Sequence, residues 1–183
     1  TLMRSSAASD VYKRQVVYRM KSVHKMGNVI MDNEIKNVFF DIEMLRRRLI
    51  RPFFIELGLT VGQGQPRILK ELREHGIMNQ KELADACLMD VTTMSRTLDR
   101  MEKDGLLKRE NNPASRRSWN VLLTDYGRQK ADEVIRIFNR IDNVIYNGFS
   151  EEEVQTLSVM AGKVEKNLWE AIKNEEHLSL IHI

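Results

Sequence analysis

The sequence predicts a mainly α fold carrying one small β-hairpin, and three observations predict it. Residues Asn79 to Thr124 (NQKELADACLMDVTTMSRTLDRMEKDGLLKRENNPASRRSWNVLLT) read as a helix, a tight turn, a second helix and two short strands. Before and after that stretch, apolar residues recur at steps of three and four, the period of long amphipathic helices. The composition, 42% hydrophobic and 30% charged, is that of an ordinary globular protein, and no apolar run approaches the roughly 18 residues of a membrane span.

Within the central stretch, Asn79 followed three residues on by Glu82 is a capping-box signal for a helix start. Leu83, Ala84 and Cys87 then share one face. Leu88-Met89-Asp90 interrupts the period, and Asp90 is placed to cap the next helix by accepting a backbone N–H. In that helix Met94, Leu98 and Met101 step by four and three, so they face a core, while Thr92, Thr93, Ser95, Arg96, Asp99 and Arg100 take the opposite face. Short hydroxyls and arginines on an outward face suit the base edges and phosphates of a major groove; the same residue types also line any solvated helix. Gly105 is expected to close the helix in the left-handed conformation. Leu106 to Glu110 and Trp119 to Leu123 alternate well enough for two strands. Between them lies NNPASRRS, a turn-rich linker with Arg116 and Arg117 near its tip and Ser118 beside them. A hairpin following a helix-turn-helix is a wing, and its tip arginines are placed to enter a minor groove.

These residues carry a resemblance. The order QKELADACLMDVTTMSRTLDRMEKDGLLKRE, then SRRSWNVLLTDYG, preceded by LGLTVGQGQPRILKEL, resembles the MarR family of winged-helix transcription regulators. The similarity runs from about Asn33 to about Asn174, and the helix–wing part is its most diagnostic portion. The resemblance implies a homodimeric repressor or activator on pseudo-palindromic operators, released by small phenolic or anionic ligands or by cysteine oxidation. It also implies a wing motif Asp-x-Arg. This chain has Ser115-Arg116-Arg117 there, so the arginine is kept at Arg117 and the steadying carboxylate is replaced by a hydroxyl.

Global charge says little about a partner. The net +3 and pI near 9.0 are set by residues 1–25, which hold six Lys/Arg against Asp10. Without them 23 of the 29 basic and 25 of the 26 acidic residues remain, a slightly acidic balance. Residues 91–120 by contrast hold seven basic and four acidic side chains. A modest basic patch on a near-neutral protein fits site-directed binding better than bulk attraction. The single cysteine, Cys87, excludes an internal disulfide and fits a reducing cytosol, so a cytoplasmic protein is expected. Its place on an apolar helix side favours an inert core thiol over a redox sensor, which needs exposure and a low pKa.

Along the chain, residues 1–25 show no sustained period. They read as a disordered, non-native leader, like the terminal 176–183, with Met26 or Met31 as a natural start; a basic arm gripping DNA backbone is the alternative. Ile35, Val38, Ile42, Leu45, Leu49 and Phe53 mark a long helix with a coiled-coil-like seam, which Pro52 ends or kinks. Arg46, Arg47, Arg48 and Arg51 on that helix suit a solvated face or an anion contact. Thr60 with Gln63 reads as a capping box for the next helix, although Gly62, Gly64 and Pro66 move its true start toward Gln65. Ile68, Leu69 and Leu72 give its buried face, His75-Gly76 its end, and Ile77-Met78 a short strand beside the wing. Thr124 caps a helix with Val134, Phe138, Ile141 and Ile145 on one face, and Asn147-Gly148 stops it. Ser150 to Glu153 is a capping box for a last helix carrying Val154, Leu157, Ala161, Val164, Leu168 and Ile172. Those apolar faces exceed what one small domain covers, which points to a two-fold partner, or else to an intramolecular bundle.

No zinc spacing, Walker loop, GxSxG or dinucleotide fingerprint is present, and the four histidines have no ligand spacing, so no enzyme, cofactor or metal is expected. The organisation expected is a winged helix-turn-helix domain over 60–123, flanked by helical dimerisation regions at 32–58 and 124–175. The function expected is that of a ligand-responsive repressor, a sequence-specific DNA-binding transcriptional regulator. It would act as a homodimer on double-stranded DNA through Thr92, Thr93, Ser95, Arg96, Arg100, Arg116, Arg117 and Ser118. The alternative is a winged helix used for protein–protein contact.

Overall fold

The computed structural model describes the backbone of residues 29–60, 62, 64–112 and 115–181, and the side-chain surroundings of 34–60, 62, 64–111 and 119–174. The leader expectation, for residues 1–25, lies outside the described residues. The chain divides at Gly58 into two compact units.

The first unit holds helix α1 (Val29–Glu56). Pro52 sits inside it and does not end it: the missing N–H falls near the last turn, where little helix remains to be lost, and the chain stays helical to Glu56. Of the arginine run, Arg46 and Arg47 both pair with Glu43, at 3.0 and 2.6 Å, as neighbours on a solvated helix do.

The second unit runs α2 (Gln65–His75), β1 (Met78–Asn79), α3 (Gln80–Cys87), α4 (Val91–Lys103), β2 (Leu107–Asn112), β3 (Ser115–Leu123), α5 (Asp125–Ile145) and α6 (Glu151–Ile181). The Thr60–Gln63 capping box does not open α2. Gly64, left-handed at φ 70°, is its N-cap, and Pro66 lies in its first turn. The Thr60 N–H instead donates to Oε1 of the buried Gln65, at 2.7 Å. Glycines on this approach favour a bend over helix, so the start moves to the residue preceding the proline. Gly76 at φ 78° ends α2 as expected.

The sheet has the order β1-β3-β2, all antiparallel. Its first strand is Met78–Asn79, one residue later than expected, because Ile77 stands out in solvent and Met78 pairs with Val121. Asn79 therefore serves twice, as a strand residue and as the cap of α3. Ile68, Leu69, Leu83, Met94, Leu98, Met101, Leu107, Val121 and Val134 form one continuous buried set, with α2 packed on α5 and α3, and α3 on α4. An Arg73–Asp132 pair at 2.8 Å joins α2 to α5.

Thr124 ties the end of the wing to α5. Its hydroxyl donates to the Gly105 carbonyl at 2.6 Å and accepts the Gly127 N–H at 2.9 Å. Gly127 is forced by contact: a Cβ there would lie 1.7 Å from the Leu106 carbonyl oxygen. The Ser150–Glu153 box opens α6 with reciprocal bonds of 2.8 and 3.2 Å. The backbone of α6 continues to Ile181, into the segment expected to be an appended tail. Along it Leu157, Val164, Leu168 and Ile172 stand 43–61% exposed. Together they make an exposed apolar stripe along the helix.

Candidate nucleic-acid interface

Two caps set the angle between α3 and α4. Asn79 accepts the Glu82 N–H and Glu82 accepts the Asn79 N–H, both at 2.9 Å, so α3 begins where β1 ends. Its last residue, Cys87, is followed by Leu88 in the left-handed conformation (φ 55°), the only non-glycine residue so placed among the described residues. That turn redirects the chain, and Asp90 starts α4 by accepting the Thr93 N–H at 2.8 Å and the Thr93 hydroxyl at 2.6 Å. Hydrogen bonds from Thr93, the side chain's first, hold the Asp90 carboxyl below its ordinary range. Arg67 on α2 braces the turn by donating to the Ala86 carbonyl at 2.8 Å.

Helix α4 is divided lengthwise. Met94, Leu98 and Met101 are wholly buried, while Thr92, Thr93, Arg96, Asp99 and Arg100 are exposed and Ser95 is half-buried. Thr97 is also buried, its hydroxyl returning to the Thr93 carbonyl at 2.9 Å. Thus the hydroxyl proton of Thr93 is already engaged by Asp90, which leaves Thr92 and Arg96 as the outward groups nearest the start of the helix. Gly105, at φ 71°, closes α4.

The wing differs from its expected outline. The strands extend further toward the tip, to Asn112 and from Ser115, so Arg116, Arg117 and Ser118 belong to β3 and not to a loop. Asn111 pairs with Trp119 but Asn112 pairs with Ser115. One step along β2 thus matches four along β3, and Arg116-Arg117-Ser118 are the residues left over by that register break. A bulge of this kind re-aims side chains at a sheet edge. The side chains of those three residues lie outside the described residues.

The basic patch counted from sequence is partly consumed internally. Arg109 on β2 pairs with Glu102 at 2.6 Å and Asp99 at 2.7 Å, both on α4, and Lys108 pairs with Glu110 at 2.7 Å. The Arg109 guanidinium holds the Glu102 carboxyl below the ordinary carboxylate range. Asp99, read as part of the outward face, is therefore a brace for the wing. Neither link is visible in local spacing, because the partners lie seven and ten residues apart on separate elements. Cys87 is buried, and burial first, then the nearby Glu71 charge, pushes its thiol up to about 11. Among the described residues no three His, Cys, Asp or Glu side chains gather as a metal site would need, and no helix is long and apolar enough to cross a membrane.

A capped helix pair with one outward polar face, braced to a bulged hairpin on a three-stranded sheet, defines a winged helix-turn-helix protein. Comparison with known proteins places it further. The chain matches a model of the MarR family over residues 62–119. It is 34% identical over 104 residues to the HTH-type transcriptional regulator PecS of Dickeya dadantii (strain 3937). That match covers 55% of this chain and 63% of the relative, so the chain spans less than two thirds of the relative's own length. Among solved structures, AbsC, a MarR family transcriptional regulator from Streptomyces coelicolor, shares the fold with a TM-score of 0.70 at 20% identity, over 79% of this chain and 98% of that one. A MarR family transcriptional regulator from Listeria monocytogenes complexed with 26mer DNA superposes with a TM-score of 0.64 at 26% identity, over 78% of this chain and 90% of that one.

Proposed function

We propose that this chain is a sequence-specific DNA-binding transcriptional regulator, a repressor that acts as a homodimer on a pseudo-palindromic operator and is released by a small-molecule effector. The observation that carries the reading is the division of α4, with Met94, Leu98 and Met101 fully inward and Thr92, Thr93, Arg96 and Arg100 outward beside a wing. The solved relative from Listeria monocytogenes, bound to 26mer DNA, supports it at 26% identity. In this reading Arg96, Thr92 and Thr93 meet base edges in the major groove, with the half-buried Ser95 at their margin, and Arg100 meets phosphate. Arg116, Arg117 and Ser118 reach the minor groove from the wing. The exposed stripe on α6 supports a second copy of the chain, and two-fold symmetry sets half-sites about 10 bp, roughly 34 Å, apart. The effector part rests on the family resemblance: a ligand that changes the spacing of the two α4 helices would weaken the complex by about 1–3 kcal/mol, the usual scale of allosteric coupling.

The test is fluorescence anisotropy with duplexes tiled from the promoter region in front of the chain's own gene, over a series of salt concentrations. Tight binding to one duplex that falls steeply with salt supports the reading. Arg96→Ala should cost about 1–3 kcal/mol and relax the preference at one position, whereas Arg117→Ala should weaken all duplexes alike. Equal, weak binding to every duplex would favour a winged helix used for protein contact.

A further inference from the structure

We infer that Trp119 is a sugar-contacting residue of this same interface, its indole packing on a deoxyribose of the DNA strand that passes between α4 and the wing. The inference rests on the DNA-binding reading above and adds a residue to it. Leu107, Arg109 and Asn111 stand opposite Leu123, Val121 and Trp119 in the ladder, and because side chains alternate along a strand all six lie on one face. At the inner end of that face Leu107, Val121 and Leu123 are core. Arg109, in the middle, reaches across to Glu102 and Asp99, which identifies the face as the one turned toward α4. Trp119 is the next rung outward. It is 50% exposed, although Val121 two residues on is 0% exposed. It is also the last rung before the register breaks into Arg116-Arg117-Ser118.

The rung therefore belongs to the hairpin face turned toward α4, and it follows Arg116 and Arg117 in the sequence. An indole half in water takes a partner with apolar edges and a hydrogen-bond acceptor. Duplex DNA supplies both: sugar C–H edges for the indole face and phosphate oxygens for its Nε1–H, contacts that position the protein without reading sequence.

The chain has two tryptophans, and Trp169 lies on α6, so the full-length Trp169→Phe variant reports on Trp119 alone. A duplex selected from a randomised library is titrated into it. Emission from Trp119 should change on binding and saturate at the same concentration as the anisotropy signal. Trp119→Ala should lose about tenfold in affinity, equally for the selected and a scrambled duplex and with the salt slope unchanged, since no phosphate charge pair is removed. Trp119→Phe should recover most of that loss, and it serves as the readout should the alanine variant fail to fold. Specific binding with silent Trp119 emission, with Trp119→Ala within twofold of the parent, or with a salt slope reduced by about one, would overturn this inference and leave the proposed function standing. Absence of any preferred duplex would overturn both.

Discussion

Arg109 meets Glu102 three times: its backbone N–H donates to Oε1 at 3.0 Å, and its Nε and Nη2 donate to Oε2 at 3.0 and 2.6 Å. One carboxylate near the end of α4 thus holds both the main chain and the side chain of the wing's first strand. The carboxylate that the family resemblance implies at the wing tip is Ser115 here, so this inner brace is what the structure offers for steadying the wing against α4. The Arg109–Glu102 coupling in a double-mutant cycle should be about 0.5–1 kcal/mol, discounted for the solvent that reaches both groups. Urea unfolding of Arg109→Ala, Glu102→Ala and the double variant measures it. Strictly additive losses would show that the three bonds do not act as a unit.

The same carboxylate gives stability an acid limit. Glu102 has its pKa lowered from 4.5, chiefly by the hydrogen bond from Arg109. A depressed carboxylate contributes stability that is fully present above its unfolded value and is lost as pH falls through the folded one. The stability gap between the parent and Glu102→Gln should be constant above about pH 5 and should close below about pH 4. A gap that persists unchanged to the lower pH would mean the charge on Glu102 is immaterial.

Gly127 tolerates no side chain. A methyl carbon on it would stand 1.7 Å from the Leu106 carbonyl oxygen, so the first turn of α5 must separate from the wing to admit alanine. Gly127→Ala should lower stability by about 3 kcal/mol, the upper end of ordinary overpacking, despite alanine's better helix propensity. Thermal melts of the two proteins decide this; a melt at or above that of the parent would refute the contact.

Cys87 should be silent as a thiol while the chain is folded. Its thiol is pushed from 9.0 up to about 11 by burial and by Glu71, and the thiolate is the reactive form. Near pH 8 an aromatic disulfide reagent should react roughly a hundredfold faster in denaturant than with the native protein, following the thiolate fraction. Between about pH 9 and 11 the unfolded chain releases this proton and the folded one keeps it, so stability should fall as pH rises, and Cys87→Ala should flatten that slope. Prompt native labelling would reopen a redox role.

What can be read from sequence follows from distance along the chain. Four helix starts are legible because each is written within four residues: Asn79 with Glu82, Asp90 with Thr93, Thr124 with Gly127, and Ser150 with Glu153. The inward row of α4 is legible for the same reason, since Met94, Leu98 and Met101 encode their face by spacing alone. The Thr60–Gln63 capping box opens no helix because Thr60 is satisfied by Gln65, whereas Gly62, Gly64 and Pro66 do point to the start at Gln65. Pro52 suggests a stop because its cost is local, whereas the helix around it is long. The setting of Arg116 and Arg117 is not legible at all: a register break belongs to two strands together, and neither strand carries it alone. The Arg109 brace and the outward Trp119 escape sequence reasoning likewise, because only the closed ladder brings Arg109 to α4 and carries Trp119 past the edge of the core.

Helix α6 leaves Leu157, Val164 and Leu168 in water, and this has a bearing on dosage. If a second copy is what shelters them, the protein's melting temperature is a property of how much protein is present as well as of its sequence, by mass action. Tenfold dilution would then loosen the fold and the paired α4 helices together, and scarcity itself would act as a form of control over whatever sites the dimer occupies.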